Sequence, residues 1–279
     1  MWDITEILAC PYCHSDLGEL RCFGCGRQYY RLNGIFYMYS PAEEHWQKCQ
    51  DQIKALFRLD YQEDWKPRHD NLGYPYANLE NAGIGQRANA AMFNVAKELM
   101  GDRDGHALDV GAYNGWASFR LAENHKTVAL DSSDHPCYGV GFVPSTGEGI
   151  AKVIGDGCYL PFNEGVFDIV FMASALHHMH DKVRSMNEAY RVLAPGGIFV
   201  TIGDAPMPEH VIEDIKNDGI RDYEGMPYTE ATLRGWFAES DFLKLTLLPI
   251  KYQAGMESMV LKELVAEQGD NAVIYGVKE

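Results

Sequence analysis

Three groups of residues in this chain have the types and spacing for chemistry. The first is Cys10, Cys13, Cys22 and Cys25, a C-x2-C-x8-C-x2-C pattern. Each C-x-x-C knuckle aims two thiolates at one ion, as a tetrahedral zinc site requires. Pro11 stiffens the first knuckle, and Gly24 and Gly26 flank Cys25 where the chain must turn sharply. Arg21 and Arg27 can offset thiolate charge. Two redox dithiols, or an iron centre with the same ligands, are the competing readings. The paired spacing favours zinc. Four thiolates leave no position for water, so the metal is expected to be structural. Cys49, Cys137 and Cys158 follow no pattern.

The second group surrounds a glycine loop. His106–Val110 has the pattern of a strand, Gly111-Ala112-Tyr113-Asn114-Gly115 follows, and a helix is expected from near Trp116. Such a loop lets a ligand approach the backbone, and the helix amino end adds positive potential. The loop is D-x-G-x-x-x-G, not G-x-G-x-x-G, with Tyr113 where a middle glycine could stand. That argues against a dinucleotide and hence against a dehydrogenase. A second strand, Thr127–Leu130, ends in Asp131, 20 residues after Gly111. A carboxylate there can accept from both hydroxyls of a ribose. A third strand, Lys152–Gly155, ends in Asp156.

The third group is His177, His178 and His180, just past a buried strand at Ile169–Met172, with Asp204 after another at Ile198–Ile202. Histidine suits proton transfer near neutral pH. The bland alternatives are a ring packed against a ligand, a backbone cap, or a solvated side chain.

These groups need a scaffold. From residue 106, short apolar strands alternate with helices, the signature of a parallel α/β sheet. Helices are expected at Arg87–Leu99, ended by Gly101, at Lys182–Leu193, and from a Thr229 cap to Glu239. Leu243–Leu248 and Val273–Val277 read as closing strands. In the first module, Gln28–Leu32 reads as a strand and Asn33-Gly34 as a hairpin turn. The expected organisation is a ribbon at 1–40, a helical and irregular linker at 41–100, and an α/β domain at 101–279. Residues 60–86 are aromatic-rich, either packed beneath a loop or a lid over a ligand. Residues 134–150 are glycine-rich, so contacts there are left unassigned.

Composition narrows the class. Of 279 residues, 46% are apolar and 23% charged, which excludes wholesale disorder and coiled-coil or collagen-like chains. The start lacks the basic region and apolar core of a secretory signal, and no apolar run has the length of a membrane helix. A cytoplasmic protein is expected. Net charge is −16, of which residues 101–279 carry −13, the opposite of a binder of phosphate backbones. Residues 207–228 are themselves acidic, fitting either a neutral or cationic metabolite or a solvated helix face.

Five segments together resemble the class I S-adenosylmethionine-dependent methyltransferases: LDVGAYNGW, ALDSS, GDGCYLPFNEGVFDIVF, ASALHHMHD and RVLAPGGIFV. The resemblance spans about residues 88–205 and implies a Rossmann-like seven-stranded sheet. The amino-terminal module resembles the small zinc ribbon found alone as a methyltransferase activator, and also heading some ribosomal-RNA guanine methyltransferases. By this resemblance Asp109, Gly111, Ala112, Tyr113 and Gly115 surround the amino-acid part of S-adenosyl-L-methionine. Asp131 and Ser132 meet the ribose, Asp156, Gly157 and Cys158 the adenine, and Ala173 and the residues after it run beside the methionine. His177, His178 and Asp204 are the catalytic candidates. The implied acceptor is a small molecule. The alternatives are an RNA base with the ribbon as the docking module, and a cofactor-binding scaffold without turnover. A protein partner on the ribbon stays open, and no membrane is implied.

Overall fold

The computed structural model describes residues 3–39, 44, 46, 47, 51, 74–76, 84–135, 139–141, 143, 149–210, 212, 213, 228–250 and 271–279. Most of residues 60–86, 134–150 and 207–228, for which a lid, a glycine-rich connection and an acidic rim were considered, lie outside this set. Among the described residues no helix is long and apolar enough to cross a membrane.

Strand and helix residues sort by period. In β5 (His106–Val110), Ala107 faces one core while Leu108 and Val110 face the other. In β8 (Phe167–Ala173), Ile169 and Phe171 alternate with Val170 and Met172 in the same way. β5 and β8 pair directly, and on either side of them run β6 (Lys126–Asp131), β7 (Ile150–Ile154) and β9 (Leu193–Ile202), all parallel. β11 (Asn271–Val277) is antiparallel to β9, and β10 (Leu245–Ile250) to β11. Apolar residues of α1 (Ile84–Met100) and α2 (Trp116–Leu121) cover one face. Those of α3 (Lys182–Val192), α4 (Glu230–Glu239) and the amino-terminal module cover the other.

The sheet does not stop at seven strands. The module forms a small hairpin of β1 (Leu17–Gly18) and β2 (Arg21–Cys22), then a second of β3 (Tyr30–Leu32) and β4 (Ile35–Tyr37). Asn33 and Gly34 turn the second hairpin at φ of 50° and 81°, the primed-turn geometry its sequence asks for. β4 pairs parallel to β7, so the order is β3-β4-β7-β6-β5-β8-β9-β11-β10. The ribbon hairpin is thus an edge of the main sheet.

Some boundaries differ from expectation. β9 begins at Leu193 and takes in Ala194–Gly197, with an irregularity opposite Phe167 and Ile169. β10 starts two residues late, because Leu243 is 78% exposed and unpaired with β11. α2 is only six residues long, so its amino end supplies little of the expected potential. Thr229 and Asp181 cap α4 and α3 through their side-chain oxygens.

Candidate functional site

Strand order reverses at β5, with β6 on one side and β8 on the other. A ligand crevice forms beyond the carboxyl ends of the strands at such a point. Gly111 leaves β5 at φ of 72°, and a Cβ there would come within 2.6 Å of the Ala175 Cβ. Only glycine allows the loop after β5 to lie this close to the chain leaving β8. The Gly111 and Ala112 N–H groups both donate to the Leu130 carbonyl at 2.9 Å, tying the loop to β6. Gly115 is left-handed and Tyr113 shares that conformation at φ of 50°. The Tyr113 ring is 43% exposed at the surface of the loop, so it is not buried within it.

Two acidic side chains lie under and beside this loop. Asp109 is buried; Ser118 Oγ donates to its Oδ2 at 2.6 Å, while Oδ1 has no hydrogen-bond partner among the described residues. Removal from water, opposed by Ser118 and reinforced by the charge of Asp131, raises its pKa to about 7. Asp131 ends β6 and accepts the Tyr113 N–H at 2.8 Å and the Ser133 N–H at 2.9 Å. Burial still raises its pKa to about 6. Asp109 keeps one carboxylate oxygen without a partner among the described residues, which a cationic group would satisfy, while each Asp131 oxygen already accepts a backbone N–H and has lone pairs left for hydroxyl donors.

Beyond β8, His177 and Asp204 meet. His177 Nδ1 lies 2.8 Å from Asp204 Oδ1, and the His177 N–H donates to the same oxygen at 3.1 Å. The Thr201 hydroxyl donates to Asp204 Oδ2, and the Tyr228 hydroxyl donates to the Asp204 carbonyl at 2.6 Å. A fully buried carboxylate held at both oxygens fixes the ring and turns Nε2 away from itself. His178 stacks at a tilt on His177, with centroids 4.0 Å apart. Partial removal from water, and then the neighbouring imidazole, lowers its pKa to about 4.

His180 does not join this pair. It stacks on Tyr159, and its ring nitrogen falls near Asp156 and Cys158 instead. Asp156 Oδ1 accepts the Cys158 N–H at 2.8 Å, and the buried Cys158 Sγ donates to the Asp181 carbonyl at 3.3 Å. Ala173 is half-buried at the end of β8, and Ser132 directly follows Asp131 at the mouth. Thr201 and Tyr228 were not among the expected site residues. Thr201, three residues before Asp204 on a buried strand, carried a usable signal; Tyr228 carried none.

In the ribbon, Cys10 and Cys25 Sγ lie 3.6 Å apart, and Cys13 and Cys22 Sγ 3.4 Å apart. All four sulfurs lie within 4.8 Å of one another. A tetrahedron of sulfurs at about 2.3 Å from zinc has edges of about 3.8 Å, close to this spacing. Gly26 is left-handed just after Cys25, as the turn demands.

Residues 108–201 match the family model described as a methyltransferase domain. Among curated proteins the chain is 26% identical over 142 residues to a mouse protein named arginine-hydroxylase NDUFAF5, mitochondrial. That match spans 50% of this chain and 38% of the mouse protein. It is 31% identical over 122 residues to the ubiquinone/menaquinone biosynthesis C-methyltransferase UbiE of a Ruegeria species, spanning 41% of this chain and 45% of that protein. The chain therefore spans less than half the length of either relative. Among solved structures, phosphoethanolamine N-methyltransferase 2 of Haemonchus contortus, in complex with S-adenosyl-L-methionine, superposes with a TM-score of 0.51 at 17% identity. It covers 81% of this chain and 59% of its own. That last likeness is one of fold.

Proposed function

We propose that this chain, whose α/β part is a class I S-adenosylmethionine-dependent methyltransferase domain, methylates an oxygen or nitrogen of a small molecule. The observation that carries the reading is the His177–Asp204 pair at the mouth of the cleft beside the Gly111 loop. The residues fit the cofactor. Asp109 offers a buried carboxylate oxygen without a partner among the described residues, suited to an ammonium group, and Asp131 offers a carboxylate suited to ribose hydroxyls. Asp156 and Gly157 supply the edge for a base. S-adenosyl-L-methionine supplies, when bound, a methyl group on a sulfonium centre.

The chain's own part is alignment and proton handling. His177 Nε2 takes the proton of the acceptor's hydroxyl or amine. Asp204, buried and acceptor-only, holds the Nδ1–H and stabilises the imidazolium that forms. Thr201 keeps the Asp204 carboxylate from rotating, and Tyr228 holds the backbone that carries it. The net charge of −16 supports a small acceptor over RNA. In the ribbon the sulfur spacing supports a structural zinc held by Cys10, Cys13, Cys22 and Cys25.

His177→Ala should lower turnover about 100-fold or more while leaving cofactor affinity within about twofold. Steady-state kinetics with calorimetry separates the two, and full turnover by the variant removes His177 from the mechanism. Asp204→Asn, which keeps the shape of the pair, should reproduce a large part of the loss.

A further inference from the structure

Away from the dyad, the structure gathers one more set of donors. Asp156, Cys158 and His180 each offer one ligand atom, and these atoms lie within 4.8 Å of one another. They come from two segments: the turn after β7, and the stretch between the His177–His178 pair and the Asp181 cap of α3. Both are anchored independently of any ligand. Arg184 Nε donates to the Cys158 carbonyl at 3.0 Å, and the Asp181 carboxylate accepts the Arg184 N–H at 2.9 Å. The Asp156 and Cys158 side chains are buried, and His180 closes the set from the solvent side.

A fourth soft atom is close. The Met179 sulfur packs on Gly157 so tightly that a Cβ there would lie 2.6 Å from it. The charged neighbours are Asp181 and Arg184, whose guanidinium lies over the Tyr159 ring at 3.9 Å. Carboxylate, thiol and imidazole together select zinc, cadmium or copper over magnesium or calcium, which prefer all-oxygen shells. Three protein ligands also leave a coordination position for water, unlike the ribbon.

We propose that Asp156, Cys158 and His180 form a second binding site, for a thiophilic divalent cation, and that its occupation excludes the nucleoside from the end of β7. Binding forms a metal–sulfur bond, and the Cys158 thiol proton leaves to solvent; no electron is transferred. The site itself stands on the residues above. The competition rests on the cofactor placement given under the proposed function.

The test uses the full chain carrying Cys49→Ser and Cys137→Ser, so that its thiols are the four of the ribbon and Cys158. It is titrated with Cd2+, whose thiolate charge-transfer absorbance counts bound sulfurs. The first equivalent fills the ribbon. The second should add one thiolate, about a quarter of the first increment. Cys158→Ser should abolish that increment. His180→Ala, an exposed position, should weaken the second equivalent more than about tenfold and leave the first unchanged. Saturation at one equivalent, or a second increment that survives Cys158→Ser, overturns the site. S-adenosylmethionine binding is then measured by calorimetry on protein holding one and two equivalents. Weaker binding at two equivalents, restored in His180→Ala, supports competition; equal binding overturns it. Failure of the one-equivalent protein to bind S-adenosylmethionine would overturn the cofactor placement instead.

Discussion

Taking the protein from pH 7.5 to pH 5.5 should weaken S-adenosylmethionine binding about 100-fold. Asp109 and Asp131 have pKa values raised by burial, to about 7 and about 6. A cationic group and hydroxyl donors both favour the ionised carboxylates, so protons and cofactor compete. At pH 7.5 about 0.75 of Asp109 and about 0.97 of Asp131 is ionised; at pH 5.5 the fractions are about 0.03 and about 0.24. The product falls about 100-fold, or about 2.7 kcal/mol at 1.36 kcal/mol per pKa unit. The cofactor's own α-amino group, near 7.7–8.0 in model compounds, is about 60–75% protonated at pH 7.5 and fully so at pH 5.5, which offsets the fall by less than about twofold.

Calorimetry across this window reads the slope. At pH 6.5, repeated in buffers of different protonation enthalpy, it should report release of about one proton per cofactor bound. Asp131→Asn should keep about 25-fold of the pH dependence and Asp109→Asn about fourfold, whatever either does to absolute affinity. An affinity constant within about threefold from pH 5.5 to 7.5, with no proton release, would refute the placement of both carboxylates. The ligand-free fold runs the opposite way. Both folded pKa values lie above the usual value of 3.8, so the stability these groups contribute is full below that value and is lost as pH rises through about 6 and about 7.

Substitutions at Arg191 and Gly111, each with a control, probe the frame around the cleft. Arg191 donates to the Phe162 and Leu160 carbonyls at 2.7 and 2.9 Å and pairs with Glu188, a buried carboxylate that also accepts the Leu160 N–H. Arg191→Ala should cost about 3–5 kcal/mol in denaturant unfolding because Glu188 is left without its cation, and adding Glu188→Gln should recover part of that. Gly111→Ala combines a left-handed backbone with a 2.6 Å approach to Ala175, and should cost about 2–3 kcal/mol. Gly34→Ala, equally left-handed but with no atom within 4 Å, should cost only about 1–2 kcal/mol.

The cleft was legible wherever a residue's role is fixed by its place on a strand. Asp131 and Asp156 follow apolar runs whose length alone sets their position at the carboxyl end of a parallel sheet. The cysteine knuckles were legible because their ligand geometry is local. Neighbours brought together by tertiary packing were not. Three histidines within four residues look equivalent in sequence. The short turn at Leu176–His178 sends His177 to Asp204 and His180 to Asp156, and that divergence depends on where β9 ends and α3 starts. Tyr228 lies 24 residues from Asp204, and no periodicity links them.

The ribbon's docking was illegible for the same reason, and it bears on how the cleft is held. A cysteine-rich module of this size reads as one that docks on the main domain or on a partner, and nothing in Tyr30–Tyr37 says which edge its hairpin will meet. The structure sets it against β7, and two contacts then bracket the turn that carries Asp156. Before the turn, the Met38 N–H donates to the Ile154 carbonyl at 2.8 Å. After it, the Ala9 N–H donates to the Pro161 carbonyl at 3.0 Å, and Leu8 bridges Phe162. Ala9 directly precedes Cys10, so the backbone gripping one side of the turn is continuous with a thiolate of the knuckle. On the far side of the same turn, Glu188 and Arg191 take up the Leu160 and Phe162 backbone groups. Residues 155–162 are thus a loop clamped from both faces of its own backbone, with the ribbon supplying one jaw and α3 the other. A loop restrained in this way would lose little entropy on binding a ligand, a consequence of building the ribbon into the sheet.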